Sequence, residues 1–296
     1  MFRAKVKKIY TWVLTLFLIS FLSNPCLAAI SVQEIINNMQ KAYDKQMAGI
    51  NDYMVIQKPS GGLGAIAGET KMYYKKAKVD GEEIYKTRTE TEVMGMKMVS
   101  IYDGKYSWST NPLTGKVESK IAEGDPLQFW NWKSIDSTKT EYLGEEMIDG
   151  EKTYILRIDN AMQVMSSQAQ AAAMQENRPQ GATGKLWLSS KTWMPLRMEM
   201  IIKSDSEGMA MNIITTTDFE DYREVGTIIH PFKIIANTST EIDTSGVSED
   251  VKEEGEEMWE MMQSMMSEMG SFTIETVEVK VNTGLSDDLF DGTKLK

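Results

Sequence analysis

The sequence of 296 residues contains one cysteine and one histidine, and this scarcity excludes several kinds of site. One cysteine cannot form an internal disulfide, and one histidine leaves little scope for histidine-based catalysis or histidine-rich metal sites. Basic residues are also few, because 32 Lys and Arg face 43 Asp and Glu, giving a formal net charge of -11. We therefore expect no nucleic-acid partner, since a phosphate-binding surface needs an excess of basic side chains.

Catalytic motifs are missing as well. The sequence has no G-x-S-x-G, H-E-x-x-H or P-loop pattern. Residues 62–67 fit G-x-G-x-x-A, but residues 70–74 have a strand pattern, whereas a pyrophosphate needs the N-terminus of a helix. His230 stands in a strand-like segment, where a structural role is expected, and the acid pair Asp218 and Glu220 stands where carboxylates are usually solvated. We therefore expect neither enzyme activity nor a cofactor.

A long apolar run occurs only near the N-terminus. Four basic residues between positions 3 and 8 precede an apolar run over residues 10–22, which is shorter than the roughly 20 residues of a membrane-spanning helix. Small residues near Ala28 and Ala29 fit a cleavage site. The sequence thus predicts a secretory signal peptide over residues 1–29, cleaved after Ala28 or Ala29. Cleavage removes the cysteine, which suits an oxidising compartment, and the predicted location is the periplasm.

Strand patterns dominate the remaining chain. Ser31 and Glu34 form an S-x-x-E capping box that predicts a helix ending near residue 46. Asp-Gly pairs at positions 80, 103 and 149 predict hairpins, because these residues tolerate the positive φ of type I′ turns. The predicted strands cover residues 52–58, 72–79, 83–93, 96–102, 106–110, 141–148, 152–158, 183–189, 196–203, 209–219, 228–238 and 272–281.

Helical patterns over residues 125–134, 161–177 and 248–269 interrupt these strands. The sequence shows no repeat and no long linker. We therefore predict one domain over residues 30–296, mainly β with helical inserts, in which neighbouring strands are antiparallel.

Methionine is abundant, with 23 copies. Six of them, between residues 258 and 269, have the spacing of one helical face, and others alternate along strands and so share one face of a sheet. Methionine is flexible and polarizable, and it suits a surface that accepts variable apolar partners. We predict a lipid pocket formed by a curved sheet and a helical lid. The predicted lipid-binding residues are Met94, Met96, Met98, Leu196, Met198, Met200, Met209, Met211, Met258, Met261, Met262, Met265 and Met269.

Two other interpretations of the methionines stay open. In the first, methionine fills a closed and fully packed core. In the second, the helix over residues 248–269 holds Cu(I), which thioethers favour, although such sites often recruit histidine or cysteine as well.

Several short phrases in the second half of the chain match one known family. They are Gly-Lys-Leu-Trp-Leu at 184–188, Trp-Met-Pro-Leu-Arg at 193–197, Asp-Phe-Glu-Asp-Tyr-Arg at 218–223, Ile-His-Pro at 229–231, and Val-Lys-Val-Asn-Thr-Gly-Leu-Ser-Asp-Asp-Leu-Phe at 279–290. With these phrases, the chain resembles the outer-membrane lipoprotein-sorting family, the LolA-like periplasmic lipoprotein carriers, which are related in fold to LolB and to the sensor domain of RseB. The resemblance spans most of residues 31–290 and is specific from about residue 183 onward.

This resemblance implies an unclosed half β-barrel whose concave apolar face is covered by helices and takes up lipoprotein acyl chains. It further implies transport to the outer membrane, with inner- and outer-membrane transfer partners. A lipid-sensing or envelope-stress-sensing module on the same fold is the alternative. The family's polar latch residues are not matched here, and Arg88 is a candidate only because it lies in the middle of a strand.

Overall fold

The computed structural model describes residues 30–93, 95–111, 114–122, 135–159, 161, 181–206, 209–243 and 270–295. The predicted signal peptide and the predicted helices over residues 125–134, 161–177 and 248–269 lie outside these residues, except for Ala161. The predicted lipid-binding residues that also lie outside are Met94, Met258, Met261, Met262, Met265 and Met269.

The described part of the chain contains one α-helix and thirteen strands. Helix α1 spans Val32–Met47, as the capping box predicts. The strands are β1 (Asp52–Ser60), β2 (Thr70–Val79), β3 (Glu82–Val93), β4 (Met96–Tyr102), β5 (Tyr106–Thr110), β6 (Val117–Ile121), β7 (Thr140–Ile148), β8 (Glu151–Ile158), β9 (Gly181–Ser189), β10 (Pro195–Ser206), β11 (Met209–Val225), β12 (Ile228–Asp243) and β13 (Phe272–Val281). Short 3-10 helices cover Gly62–Ile66, Ser137–Lys139, Asp287–Phe290 and Gly292–Lys294.

All thirteen strands belong to one antiparallel sheet. Their order is β6-β5-β4-β3-β2-β1-β13-β12-β11-β10-β9-β8-β7, so the last strand of the chain pairs with the first near the middle of the sheet. Among the described strands, β6 and β7 are the two edges, and the sheet is therefore not closed into a barrel. The predicted fold class, a mainly β chain built on a single unclosed antiparallel sheet, is confirmed.

Two of the three predicted hairpin turns have the expected geometry. Asp80 and Gly81 have φ values of 52° and 92°, and Asp149 and Gly150 have values of 49° and 79°, as a type I′ turn requires. The prediction is wrong in detail at Asp103. Its carboxylate accepts hydrogen bonds from the backbone N–H groups of residues 105 and 106 at 2.9 Å and 2.8 Å, and these bonds close a three-residue loop.

Each predicted strand is present, and β11 and β12 extend furthest beyond their predicted ends. Strand β11 continues from Phe219 to Val225, where Glu220 pairs with Lys233 of β12, and β12 continues to Asp243. Strand β6 was not predicted, since Val-Glu-Ser-Lys-Ile is short and mostly polar. The glycine-rich segment after β1 contains the 3-10 helix Gly62–Ile66.

Helix α1 crosses one face of the sheet, which we call the helix face. The helix contacts both β12 and β7, which are five strand spacings apart in the sheet. Sixteen helical residues extend about 24 Å, and five spacings of about 4.8 Å give the same distance. Ile35, Ile36 and Met39 of the helix are buried. Ile50 follows the helix, and its carbonyl accepts a hydrogen bond from the Tyr85 hydroxyl of β3 at 3.2 Å.

The C-terminal residues 282–295 cross the opposite face over β2 to β5, which we call the tail face. Lys75 donates to the Leu285 carbonyl at 2.7 Å, and Phe290 packs with Val99 and Ile101 in a small core. Arg88, the candidate latch, lies on this face. Its guanidinium donates to the carbonyl of residue 289 at 3.0 Å and pairs with the carboxylate of residue 90 at 2.6 Å. Arg88 therefore secures the C-terminal residues.

Candidate functional site

The helix face is apolar over β8 to β11. The strand registers place Leu156 beside Leu186, Leu186 beside Met198, and Met198 beside Thr217, so these residues form one row across four strands. Leu156, Leu186 and Met198 are 0%, 2% and 7% exposed, and Met200 in the next row is 6% exposed. These side chains form a continuous apolar surface, which we call the apolar block.

The tail face of the same strands is charged. Lys185 pairs with Glu199 at 2.8 Å and Arg197 pairs with Asp218 at 2.5 Å, in both cases across neighbouring strands. Lys233 of β12 likewise pairs with the carboxylate of residue 220 on β11 at 2.9 Å. The acid pair of residues 218 and 220 is therefore engaged by two separate cations. In this half of the sheet, the tail face therefore carries ion pairs and the helix face carries apolar side chains.

The structure divides the described members of the predicted lipid-binding set into two groups on the helix face. All three predicted residues of β10 are described: Met198 and Met200 belong to the apolar block, and Leu196 stands at a β-bulge beside β9. Met211 of β11 lies on the same face as Met198 and Met200. Met96 and Met98 lie on β4, seven positions away from β10 in the strand order. Met209 begins β11.

A row of polar side chains crosses the helix face between these two groups. Thr70 and Thr91 share a hydrogen bond at 2.9 Å, Gln57 donates to the Thr276 hydroxyl at 3.4 Å, and His230 Nε2 lies 3.2 Å from the same hydroxyl. Sequence reasoning missed this polar row because its members come from five strands, and their alignment depends on register.

His230 is a structural member of the polar row. Its ring packs edge-on against Phe232, with the ring centroids 5.9 Å apart. Burial lowers the pKa of His230 to about 4, so the imidazole is neutral near pH 7 and serves as a hydrogen-bond partner.

No group of three or more His, Cys, Asp or Glu side chains in the described part of the chain is arranged to hold a metal ion. No helix within those same residues is long and apolar enough to span a bilayer.

A cavity of about 530 Å³ lies between α1 and two turns of the sheet, the β9–β10 turn and the β11–β12 turn. We call it the basic cleft. None of the described members of the predicted lipid-binding set lines it. The described lining residues are Asn38, Lys41, Ala42, Lys45, Gln46, Lys191, Thr192, Trp193, Glu224, Gly226, Thr227 and Ile229.

Gln46 fixes the helix beside these turns. Its side chain is 8% exposed, its Oε1 accepts from the Ile229 N–H at 2.8 Å, and its Nε2 lies 3.3 Å from the Met194 sulfur. The Gln46 carbonyl accepts from the Thr227 hydroxyl at 2.7 Å. A single buried residue thus ties α1 to both turns, and the walls of the basic cleft are held together by hydrogen bonds.

No family model and no curated protein matches the sequence. Two solved structures share its fold. An outer-membrane lipoprotein-sorting protein domain from Vibrio parahaemolyticus is 14% identical, with a TM-score of 0.50 over 90% of this chain and 99% of that chain. A DUF1329 family protein from Desulfovibrio piger is 16% identical, with a TM-score of 0.51 over the same shares.

At these identities the likeness shows the fold alone. The chain has the fold of the LolA-like lipoprotein-sorting proteins, and the resemblance inferred from the phrases over residues 184–290 is confirmed at that level.

Proposed function

We propose that the protein is a periplasmic carrier that binds lipoprotein acyl chains, or another lipid, on the helix face for transport to the outer membrane, and that it catalyses no reaction. The apolar block carries this proposal. Leu156, Leu186 and Met198 form a row of apolar side chains, while the tail face of the same strands carries ion pairs. The fold shared with a lipoprotein-sorting domain supports the same function.

Affinity in such a carrier would come from the burial of acyl methylenes, at about 0.8 kcal/mol for each group. Several partly buried chains would therefore bind usefully without specific polar contacts. The excess of acidic over basic residues, which grows when the four basic residues of the predicted signal peptide are removed, would keep a loaded carrier soluble and limit its non-specific adhesion to anionic membranes.

We further propose that the methionines between residues 258 and 269 cover the bound lipid. Replacing Met261 and Met265 with Glu should lower lipid affinity without unfolding the sheet, because a carboxylate is costly to bury against acyl chains. Replacing both with Leu should keep affinity for a preferred lipid but narrow the range accepted. If the segment held Cu(I) instead, the Leu variant would lose metal binding as completely as the Glu variant.

The decisive experiment combines native mass spectrometry of protein purified from cell envelopes with titration of a fluorescent fatty acid. Met211 and Asn212 offer a matched pair for the titration, because both are half-buried neighbours on β11 that face opposite sides of the sheet. Met211→Glu should weaken probe binding by roughly tenfold, from a desolvation cost of about 1–3 kcal/mol, and Asn212→Glu should leave it unchanged.

Absence of co-purified lipid together with no binding of the probe would refute the carrier. Equal weakening by the two Glu variants, measured on samples with equal circular dichroism, would show that the helix face is not the binding surface.

A further inference from the structure

Three lysines line the basic cleft. Lys41 and Lys45 come from α1 and Lys191 from the β9–β10 turn, and all three are exposed. Within the part of the chain that the structure describes, none of them forms an ion pair. By contrast, Lys97 and Lys233 contact carboxylates at 3.0 Å and 2.9 Å, as most lysines elsewhere in that part do.

The basic cleft carries a positive charge, whereas the whole protein carries a negative one. Glu224 is the one carboxylate among its described lining residues, so three cations face one anion in a chain of net charge -11. The helix dipole favours lysines near the end of α1, but it does not account for Lys191, which converges on the same cavity from a turn. The positive charges repel one another, and a bound anion would relieve that repulsion.

The rim of the basic cleft is rigid. Trp193 has a φ of 61°, a left-handed conformation that is uncommon outside glycine and is often found at functional sites. The indole ring of Trp193 stacks on the Tyr154 ring with centroids 5.4 Å apart, and the backbone N–H of Trp193 donates to the Ser189 carbonyl at 3.0 Å. Thr192 lines the same cavity and its hydroxyl supplies a neutral donor, whereas the Thr227 hydroxyl already donates to the Gln46 carbonyl.

From this arrangement we propose that the basic cleft binds a phosphate group through Lys41, Lys45 and Lys191. The lysine ammonium is a compact point charge suited to phosphate, and a cavity of about 530 Å³ has room for the group that carries it. That group is either a lipid headgroup or a small soluble phosphate. The proposal stands apart from acyl-chain binding, because no residue of the apolar block lines the basic cleft.

Two titrations of the full-length protein test the site and separate the two sources. Isothermal calorimetry with glycerol phosphate measures a soluble ligand, and co-sedimentation with phosphatidylglycerol vesicles measures a headgroup. The test variant replaces Lys41, Lys45 and Lys191 with Gln. A control variant replaces three other exposed lysines that form no ion pair in the described part of the chain and lie outside the basic cleft. These control positions are Lys116, Lys120 and Lys203.

Exposed ion pairs contribute roughly two- to fivefold to affinity each, so the test variant should bind at least about tenfold more weakly than the wild type. The control variant has the same net charge and should retain nearly full binding. Higher ionic strength should weaken wild-type binding, because salt screens exposed charges. Binding of glycerol phosphate that is lost in the test variant assigns a soluble phosphate, and binding that requires the vesicle assigns a headgroup.

Equal weakening in the test and control variants would overturn the proposal, because net charge alone would then explain binding. Failure of both ligands to bind would also overturn it. The fluorescent fatty acid should bind the test variant as it binds the wild type. Failure of the phosphate site can therefore be distinguished from failure of the proposed carrier function.

Discussion

Asp52 joins the first strand of the sheet to the C-terminal residues, and its replacement by Asn tests how those residues are held. The carboxylate is 4% exposed. It accepts hydrogen bonds from the Thr283 N–H at 2.7 Å, the Thr283 hydroxyl at 2.9 Å, the Gly284 N–H at 3.0 Å and the Leu285 N–H at 3.4 Å. Four donors from three consecutive residues thus converge on one buried side chain.

Asparagine keeps the shape of the side chain but has one acceptor oxygen in place of two. The donors on one side of Asp52 then face an amide NH₂ group that cannot accept from them. A hydrogen bond to a charged group contributes about 1.5–3 kcal/mol and one to a neutral group about 0.5–1.5 kcal/mol. Thr283 and Gly284 are exposed, so water replaces some of the hydrogen bonds that their donors lose. We therefore expect Asp52→Asn to lower the free energy of unfolding by about 2 kcal/mol.

The pH dependence of this loss follows from the pKa of Asp52. Burial alone raises the pKa, but the hydrogen bonds from Thr283, Gly284 and Leu285 outweigh it and lower the pKa from its usual value of 3.8. A carboxyl whose pKa is lower in the folded state stabilises the fold above its unfolded pKa, and that contribution is lost as the pH falls through the folded pKa. The difference in stability between wild type and Asp52→Asn should therefore shrink below about pH 4.

Urea unfolding followed by circular dichroism, near neutral pH and again near pH 3, measures both effects. Asp288→Asn is the matched control, because Asp288 is exposed and pairs with Lys294 at 2.6 Å on the surface. Such a pair contributes at most about 1 kcal/mol. The reasoning fails if the two variants lose equal stability near neutral pH, or if the loss in Asp52→Asn does not change with pH.

Two further substitutions test the packing of the C-terminal residues and of α1. Gly292→Ala should cost about 2 kcal/mol in thermal melts, because the added Cβ would overlap the Trp108 ring, whereas Gly181→Ala, with open space around it, should change stability by less than about 0.5 kcal/mol. Equal melting temperatures for the two glycine variants would refute this. Gln46→Ala removes a buried acceptor from a backbone N–H of β12 and should also cost about 2 kcal/mol. A loss no larger than that of Gln33→Ala, on the exposed side of α1, would contradict the role assigned to Gln46.

The elements that the sequence predicted correctly depend on local chemistry. Asp80-Gly81 and Asp149-Gly150 specify their hairpins through backbone conformations that few other residue pairs adopt. Alternation likewise placed Met198 and Met200 on one face of β10, because side chains two residues apart on a strand point the same way. At Asp103 the same dipeptide closes a different loop, since its carboxylate competes for backbone N–H groups.

The features that could not be predicted join residues far apart in the chain. The polar row depends on the register that brings Gln57 beside Thr276, and no local pattern fixes that register.

The basic cleft could not be predicted from the sequence for the same reason, because its lysines come from distant parts of the chain. Lys41 and Lys45 fall on an ordinary solvated helix surface, and Lys191 falls in an ordinary turn. Only the packing of α1 against two turns, fixed by Gln46, brings the three charges to one cavity. Because ordinary lysines on separate elements carry no sequence motif, a site of this kind becomes visible only when the charges that lack partners are located in the folded chain.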